Sequence, residues 1–454
     1  MNVVILNGAD RESSLQAALC KEVERRLAKH DDSRNTIRTF HLADLFIENC
    51  QGEFDCWVKT PGQCPVHDEG QVIAQAVHDA QLLVFLTPVR FGAYSSQLKK
   101  AVDRLIPLLS PFYAIREKLT YHKTRYSAMP SLVGIGLEES PDSNQRQLFE
   151  ALVQSNALNL NSPAFAATVI GADSLSWKDD IDKVLTAQKP PANPSGSLAQ
   201  AKLQLKQVSL PQDAAEPFDE PPMVALLQAS GRAPGTSTSE AILGYLEPQF
   251  AAGDAAVEMF NATSFLHDGK TAEDVARRCA GADILIIASP LYVDGLSYPA
   301  VMAMEHILAA RLQTGAANPA RLVMAINCGS PEPEQTRFAL ASARDFARQA
   351  GYLFAGGIAI AGSDNINGGD LMATGNHTGR LRAALDLGVS ELLKGRVLPA
   401  QICRSIASSA PLSTLYRLAG NHGWRANAKK YGLNADDLDA RPFNETRRED
   451  LSHS

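Results

Sequence analysis

Two stretches of the sequence combine glycine, hydroxyl side chains and an arginine directly after an apolar run. They are NGADRESSL at 7–15 and SGRAPGTSTS at 230–239. Free backbone amides at the start of a helix bind anions, and hydroxyl and guanidinium groups add donors, so such loops suit a phosphate. Helix capping and turn formation explain the same residue types without a ligand. The candidate phosphate-binding residues are Gly8, Arg11, Ser13 and Ser14 in the first loop and Arg232, Gly235, Thr236, Ser237 and Thr238 in the second.

A second pair of loops shows that the chain repeats one plan. The segments LLVFLTPVRFGAYSSQLKKAVDRL (82–105) and ILIIASPLYVDGLSYPAVMAMEHIL (284–308) each run from an apolar strand through a proline turn into a helix. The first strands align at an offset of 221 residues, VVILNGADR over VALLQASGR, and the proline turns align at an offset of 202. Repetition at a fixed register indicates two copies of one structural unit. The second copy replaces the Arg-Phe-Gly of the first turn by Tyr-Val-Asp.

The spacing of the apolar runs predicts the elements that carry these loops. Five strands are expected in each half, alternating with helical patterns as βαβ units do. The expected strands are 2–7, 36–41, 82–87, 131–137 and 165–170, then 223–228, 256–260, 283–288, 321–327 and 353–360. The predicted fold class is α/β, with two tandem doubly wound five-stranded parallel sheets. Such sheets bind ligands outside the carboxyl ends of their strands, where both pairs of loops lie.

Composition shifts along the chain divide it into four parts. A domain is expected over 1–185, a linker rich in proline over 186–221, a second domain over 222–395 and a helical carboxy-terminal extension over 396–454. The tail LYRLAGNHGWRANAKKYG places aromatic residues on one side and basic residues on the other. It is expected to be a packing cap, with a binding element as the alternative.

Charge and hydropathy narrow the classes of partner. A net charge of −7 argues against a nucleic-acid surface formed by a basic patch. No apolar run approaches the ~18 to 20 residues that span a bilayer, so no membrane partner is expected. The start MNVVILNGAD has the pattern of a β-strand and not of a signal peptide. Seven cysteines over 454 residues are too sparse for a disulfide framework. A cytoplasmic protein is therefore expected.

Two motifs in the first half carry a family resemblance. The stretch TPVRFGAYSSQLKKAVDR resembles a loop and helix of the NAD(P)H-dependent FMN reductase family, which is flavodoxin-like, and CWVKTPGQCPVHDE resembles another segment of that family. The resemblance covers about 1–175. In the second half, SPLYVDGL and INCGSPEPEQTRFALASARDFARQAGYLFAGGIAIAG are similar to another branch of the same superfamily over about 222–395. The resemblance implies two tandem flavodoxin-like domains and FMN as the cofactor.

The resemblance also implies which residues hold the flavin. In the first domain, Gly8, Arg11, Ser13 and Ser14 correspond to the FMN phosphate loop. The loop along the isoalloxazine ring corresponds to Pro88, Val89, Arg90, Phe91 and Gly92. A flavin needs an apolar wall and nearby backbone donors, and Arg90 would stabilise the reduced anion. In the second domain the equivalent positions are Arg232, Thr236, Ser237 and Thr238 with Pro290, Leu291, Tyr292 and Val293. An acidic Asp294 there would oppose the charge of a reduced flavin.

Three cysteines lie in the nineteen residues by which the first half exceeds the second between loop and proline turn. Iron-sulfur flavoproteins, a related branch, hold a cluster with four cysteines, whereas this chain has Cys50, Cys56 and Cys64, with Glu53 at the remaining position. Four thiolates are the usual cluster ligands. A structural loop with buried thiols, a reactive thiol pair and a cluster are the three interpretations. Trp57 and Pro61 favour the structural loop, and no metal site is expected.

Other candidate residues are isolated. The stretch YHKTRY (121–126) is expected to be a loop before the fourth strand, where His122 or Arg125 would meet a nicotinamide phosphate; an ordinary solvated connection is the alternative. Asn327 and Cys328 end a strand at the ligand-binding edge, and a small buried thiol is expected there.

Two function classes follow. The first is an FMN-dependent oxidoreductase that passes reducing equivalents from NAD(P)H to a small acceptor such as a quinone or a flavin. The second is a flavin electron carrier in which a degenerate second domain serves docking or pseudo-dimerisation. The resemblance implies an intrachain pseudo-dimer of the two domains, since single-domain relatives commonly dimerise and fusion raises the effective concentration of the two halves to about the millimolar range. Two independent flavin domains joined by a passive linker are the alternative. Further homo-oligomers are compatible with this prediction.

Overall fold

The computed structural model describes residues 1–10, 14–29, 35–116, 119–187, 217–266, 269–315, 320–366, 368, 370–407 and 413–443. Within these ranges the chain forms two compact units. One contains the described residues up to 187 together with 417–443, and the other contains those from 217 to 416. The expected linker over 186–221 lies mostly outside the described residues.

The first unit is built on a five-stranded parallel sheet. The strands of the whole unit, in chain order, are β1 (Asn2–Asn7), β2 (Thr36–His41), β3 (Leu82–Arg90), β4 (Ala93–Tyr94), β5 (Leu109–Arg116), β6 (Leu119–Thr124), β7 (Ser131–Glu138) and β8 (Phe165–Gly171). Its helices are α1 (Ser14–Lys29), α2 (Asp55–Val58), α3 (Glu69–Asp79), α4 (Ser96–Asp103), α5 (Ser143–Asn159) and α6 (Trp177–Thr186). The parallel strands follow the order β2-β1-β3-β7-β8, which is the flavodoxin-like doubly wound order.

The second unit repeats this plan. Its strands are β9 (Met223–Gln228), β10 (Ala256–Asn261), β11 (Ile284–Tyr292), β12 (Gly295–Leu296), β13 (Arg321–Asn327) and β14 (Leu353–Ile360). Its helices are α7 (Thr238–Ala252), α8 (Gly269–Gly281), α9 (Tyr298–Thr314), α10 (Arg337–Gln349), α11 (Gly379–Leu393) and α12 (Ala400–Ala407). The parallel order β10-β9-β11-β13-β14 matches that of the first sheet. The predicted fold class, with two tandem flavodoxin-like sheets, is confirmed.

The apolar runs form these sheets because their central strands are covered on both faces. The β3 segment LLVFLTPV and most of β11 are buried throughout, as expected for parallel strands between two layers of helices. Each unit has its own core: Val3, Ile5, Val84 and Ile135 belong to the first, and a separate cluster occupies the second. None of the described helices is both long enough and apolar enough to cross a membrane.

The structure departs from the sequence-based assignment in the hairpin before β7. The stretch 121–126, expected to be a loop, lies mostly in β6, which pairs antiparallel with β5. The strand β5 contains Pro111, and its pairing with β6 shifts register between Leu109 and Tyr113, so the regular alternation that indicates a strand is interrupted there.

The extension expected over 396–454 contributes to both units. Ile402 and Ile406 of α12 pack in the second core. Helix α13 (Ser413–Lys430) belongs to the first unit from Arg417 onward, together with the following described residues up to 443. We call residues 417–443 the carboxy-terminal strap. The sequence alone showed its amphipathic pattern but not the surface that it covers.

Candidate functional site

Ser95 joins the first two candidate loops of the first unit. Its hydroxyl donates to the carbonyl oxygen of Gly8 at 2.7 Å and accepts from the Leu98 amide at 3.3 Å, so it also caps α4. Gly8 in turn donates its amide to the Leu86 carbonyl at 2.8 Å. A Cβ at Gly8 would lie 2.7 Å from that of Leu98, so only glycine allows this approach. The loops after β1 and β3 therefore form one edge of the sheet.

The predicted residues of the first loop are only partly described. Gly8 is buried, and Ser14 begins α1, while Arg11 and Ser13 lie outside the described residues. Asn7, at the end of β1, shapes the loop because its side-chain oxygen accepts from the Ala9 amide at 3.1 Å.

The turn after β3 is a tight hairpin with one partly exposed cation. Val89 pairs with Tyr94 and Arg90 with Ala93, while Phe91 and Gly92 have φ of 55° and 69°. Two positive φ values in a two-residue connection are the pattern of a type I′ hairpin turn. The side chains of Val89 and Phe91 are only 7% and 2% exposed. Arg90 is therefore the side chain of this turn that reaches solvent.

Arg90 and Gly92 connect this turn to the neighbouring loops. The Arg90 guanidinium lies 3.7 Å from the Asp10 carboxylate of the first loop. The Gly92 amide donates to the Gln145 side chain at 3.3 Å, and Gln145 lies in α5, after the β7 loop. Loops after β1, β3 and β7 thus meet at the carboxyl edge of the sheet, where such folds bind ligands.

The loop after β7 is held by its own ion pair. Glu138 is buried, accepts from Arg146 Nε at 2.6 Å and from the Asp142 amide at 3.3 Å. Asp142 caps α5 by accepting from the amides of Asn144 and Gln145. The carboxylates of Glu138 and Asp142 thus stabilise the conformation of this loop. Its sequence, GIGLEESPDSN, also lacks a glycine-rich ligand loop.

The second unit reproduces the same connection. Ser297 donates to the carbonyl oxygen of Ala229 at 2.7 Å and contacts Ser289 at 3.2 Å, as Ser95 does with Gly8 and Thr87. The Ala229 amide donates to Ala288 at 2.8 Å. These residues stand at the offsets of 221 and 202 read from the sequence. The two offsets therefore mark structurally equivalent hydrogen bonds.

The candidate residues of the second loop bond mostly to their own segment. Arg232 donates to the Thr236 carbonyl at 3.2 Å, and the Thr236 hydroxyl donates to Ala233 at 2.7 Å. Ser237 is 1% exposed and caps α7 through the Glu240 amide at 3.5 Å. Thr238 is also buried.

The second turn keeps the backbone of the first with different side chains. Leu291 pairs with Leu296 and Tyr292 with Gly295, and Val293 and Asp294 have φ of 46° and 60°. A β-branched residue with positive φ is uncommon. Pro290, which precedes this turn, pairs with Asn327 of β13.

Asn327 and Cys328 take part in the packing of this edge of the second sheet. Asn327 accepts from the Ser239 hydroxyl at 2.7 Å. Burial raises the pKa of Cys328 to about 12. Asp364, in the loop after β14, accepts from Tyr416 at 2.7 Å, and burial raises the pKa of its carboxyl group, while Tyr416 and Arg232 oppose that rise.

Arg104 fixes the cysteine-containing segment to the end of α4. Its guanidinium donates to both carboxylate oxygens of Asp68 at 2.8 Å, and to the carbonyls of Glu48 at 2.8 Å and Val66 at 3.2 Å. The preceding Asp103 pairs with Lys99 within the helix, where both side chains are buried. Lys99, Asp103 and Arg104, which belong to the motif TPVRFGAYSSQLKKAVDR, thus have a structural role that the sequence analysis did not predict.

The three cysteines of this segment are free thiols. Burial raises the pKa of Cys50 to about 11, and it raises that of Cys56 well above its ordinary value, with the neighbouring thiols adding to the effect. Cys56 packs beside Trp57, whose indole donates to the Leu109 carbonyl at 2.9 Å. These contacts support the structural-loop interpretation. Among the described residues, no group of three or more His, Cys, Asp or Glu side chains could hold a metal ion.

Arg125 is a structural anchor and not the nicotinamide contact that its position suggested. It is buried, and its guanidinium donates to the carbonyls of Pro107, Leu109, Leu438 and Ala440 at 2.7 to 3.2 Å. Two of these acceptors lie in the carboxy-terminal strap. The arginine therefore holds the strap against the β5–β6 hairpin.

His122 is also enclosed by this packing. Its ring lies 4.4 Å from Trp57 and 5.0 Å from Tyr113, and Nδ1 is 3.1 Å from the Pro111 carbonyl. Because a carbonyl only accepts, Nδ1 carries the proton. Burial lowers the pKa of His122 to about 4, so the ring is neutral near pH 7 and does not offer a cation to a phosphate.

Comparisons with known proteins agree with the motifs of the first domain. Residues 1–169 match the family described as NADPH-dependent FMN reductase. An iron-sulfur flavoprotein of Methanocaldococcus jannaschii is 31% identical over 108 residues, which are 24% of this chain and 53% of that protein. This chain therefore spans about half the length of that relative.

Solved structures with a similar fold include two reductases. An NAD(P)H:quinone oxidoreductase from Methanothermobacter marburgensis is 14% identical, with a TM-score of 0.32, over 40% of this chain and 90% of that one. An FMN-dependent NADH-azoreductase from Bacillus anthracis, in complex with FMN, is 14% identical, with a TM-score of 0.32, over 41% of this chain and 96% of that one. From the family match and the motifs, the first domain, residues 1–169, is similar to the NADPH-dependent FMN reductases, as its sequence predicted.

Proposed function

We propose that the first domain is an FMN-dependent oxidoreductase that passes reducing equivalents from NAD(P)H to a small acceptor, such as a quinone or a flavin. The observation that carries the proposal is the family match over residues 1–169, which contains both candidate loops. The proposal includes a cytoplasmic location, either NADH or NADPH as the reductant, and a small acceptor.

The donor set of the first domain fits FMN. In the first loop, Ser14 and, outside the described residues, Arg11 and Ser13 would bind the phosphate, while Gly8 holds the loop against α4. The apolar side chains of the turn Pro88, Val89, Arg90, Phe91 and Gly92 are buried, and in this proposal its backbone lies along the ring.

Arg90 has a separate role in this proposal. When bound, FMN supplies hydride transfer at N5 of its ring. Arg90 is about one third exposed and lies 3.7 Å from the Asp10 carboxylate, and in this proposal its guanidinium turns toward the flavin ring. A guanidinium at that edge stabilises negative charge that develops during reduction. Asp10 would hold Arg90 in place before the cofactor arrives.

Substitution of the phosphate loop tests the proposal. We expect Arg11→Ala with Ser13→Ala to weaken FMN binding by about tenfold or more, because each lost charge-assisted hydrogen bond is worth ~1.5 to 3 kcal/mol. The control is Arg25→Ala, which removes an exposed arginine from α1. FMN fluorescence titration gives both affinities. Unchanged affinity in the double variant would place the phosphate elsewhere.

Reduction of the bound flavin separates the enzyme from the electron carrier. Rapid bleaching by NAD(P)H in the absence of oxygen is expected for the enzyme. Bleaching by dithionite alone would favour the carrier, in which a protein donor supplies the electrons.

A further inference from the structure

The second loop contains a carboxylate in contact with its backbone. Glu240, in the first turn of α7, accepts from the Gly235 amide at 2.7 Å. Gly235 has a φ of 78° and lies in the middle of the loop that resembles a phosphate cradle. An amide that would face an anionic ligand is therefore already bonded to an anion from the chain itself.

Ordinary helix capping does not account for this contact. Ser237 and Glu240 have the spacing of a capping box, in which the glutamate accepts from the amide of the capping residue. Here Glu240 reaches past Ser237 to Gly235, two residues earlier. Its carboxylate thus lies over the loop and not only at the end of the helix.

Other donors of the loop also bond within the chain. The Thr236 hydroxyl donates to Ala233, and the Ser239 hydroxyl donates to Asn327. The Arg232 guanidinium donates to the Thr236 carbonyl. A phosphate would have to displace several of these bonds at once.

The chain also covers one side of the loop. A Cβ at Gly368 would lie 2.3 Å from the Cα and carbonyl carbon of Thr236. The backbone at Gly368 therefore touches the backbone at Thr236, leaving no room for a ligand group between them.

The turn after β11 carries a carboxyl group where the first domain has glycine. Asp294 is 5% exposed and stands at the position equivalent to Gly92. With Glu240 in the first turn of α7 and Asp364 in the loop after β14, it gives this edge three carboxyl groups on three different segments. A phosphate and a reduced flavin ring both carry negative charge, which carboxylates disfavour.

We infer that Glu240 is a built-in carboxylate that fills the anion position of the second loop, so that the first domain alone holds FMN. The inference rests on the proposed function of the first domain. It assigns the second domain of this chain to a role that requires no flavin.

Flavin stoichiometry tests the inference in the full chain. We expect one FMN per chain by equilibrium dialysis, and we expect Arg11→Ala with Ser13→Ala to weaken that one site without revealing another. Adding Glu240→Gln to the double variant should tighten binding of FMN or inorganic phosphate by about tenfold, because the neutral side chain accepts a weaker hydrogen bond from the Gly235 amide and no longer repels an anion. Glu247→Gln, an exposed position on the same helix, is the matched control and should change nothing.

Each alternative result has a distinct meaning. Two flavins per wild-type chain, or a full equivalent at unchanged affinity in the double variant, would overturn the inference. Equal phosphate affinity in the Glu240→Gln and Glu247→Gln chains would also overturn it. A wild-type chain that binds no FMN would instead overturn the proposed function, and the comparison of these two variants with inorganic phosphate would still test Glu240.

Discussion

The Ser95 hydroxyl donates a 2.7 Å hydrogen bond to the carbonyl oxygen of Gly8 and so fixes the first loop to the start of α4. Ser297 makes the same bond to Ala229 in the second domain. The repeated bond shows that both copies keep the frame of the site. They differ in what the loops carry: Gly92 and Arg90 in the first copy, Asp294 and Tyr292 in the second.

Ser95→Ala should destabilise the first domain and weaken FMN binding. The change leaves the buried Gly8 carbonyl without this donor and removes the α4 cap, at a cost of about 2 kcal/mol. Urea unfolding and FMN titration measure the two effects. The matched control, Ser297→Ala, should destabilise the second domain by a similar amount and leave FMN affinity unchanged. Equal losses of FMN affinity in both variants would contradict this account.

Arg125→Ala should release the carboxy-terminal strap. The substitution removes a guanidinium that donates to carbonyls of residues 107, 109, 438 and 440, and we expect a loss of about 3 kcal/mol. Limited proteolysis should then cut between 417 and 443 at a higher rate. Lys123→Ala, at an exposed neighbouring position, should cause no change. An Arg125→Ala chain as resistant as the wild type would show that the strap is held by other contacts.

The strap also determines how fragments must be designed. A fragment of residues 1–195 lacks Trp424, which packs at 5.4 Å from Trp57, and the strap acceptors of Arg125. We expect that fragment to unfold at lower urea than one to which residues 413–443 are joined by a flexible linker. Only the joined fragment is suitable for testing the predicted pairing of the two domains. If the domains pair, this fragment should dimerise with itself or lose activity in the absence of the second domain. Equal stability of both fragments would contradict the strap's role.

Stability should depend on pH through His122. Burial lowers its folded-state pKa to about 4 from an ordinary value of 6.5, so the unfolded chain binds more protons between these values. The contribution of neutral His122 to the free energy of unfolding is fully present above pH 6.5. It is lost as the pH falls toward 4, by up to about 3 kcal/mol. His122→Asn should flatten the pH profile of unfolding in this window, whereas the exposed control His67→Asn should leave it unchanged. An unchanged profile in His122→Asn would refute this assignment.

The purified chain should contain essentially no iron. Only three of the four usual cluster ligands are present, because Glu53 occupies the position of the remaining cysteine. Iron analysis after anaerobic purification measures this. Glu53→Cys restores the fourth cysteine and is the variant in which anaerobic reconstitution would yield a cluster. Stoichiometric iron in the parent chain would show that three cysteines suffice.

The sheets were predictable because their apolar runs are long and repeated. All ten expected strands are observed, and eight of them agree within one residue at each end, since buried parallel strands leave continuous runs such as LLVFL. The strands β3 and β11 extend three and four residues beyond their expected ends, into the proline turns. The repeat offset of 202 aligns Ser95 with Ser297, but the sequence alone did not show that these serines form hydrogen bonds.

Contacts between distant residues could not be predicted in the same way. Two of the four carbonyl acceptors of Arg125 are more than three hundred residues away in the strap, and backbone acceptors leave no sequence signal. Arg104 illustrates the same limit: its motif was recognised, but the Asp68 carboxylate that it binds lies in a different segment. The contact between Glu240 and Gly235 likewise depends on how the loop turns back over the helix.

A visible absorption spectrum of the purified full-length chain, recorded before and after anaerobic addition of NADPH or NADH, tests the central claim most directly. We predict the absorption of one oxidised flavin per chain and its rapid loss on addition of the reduced nicotinamide. A colourless chain whose spectrum and fluorescence do not respond to added FMN would contradict the claim that the first domain is a flavin-dependent reductase.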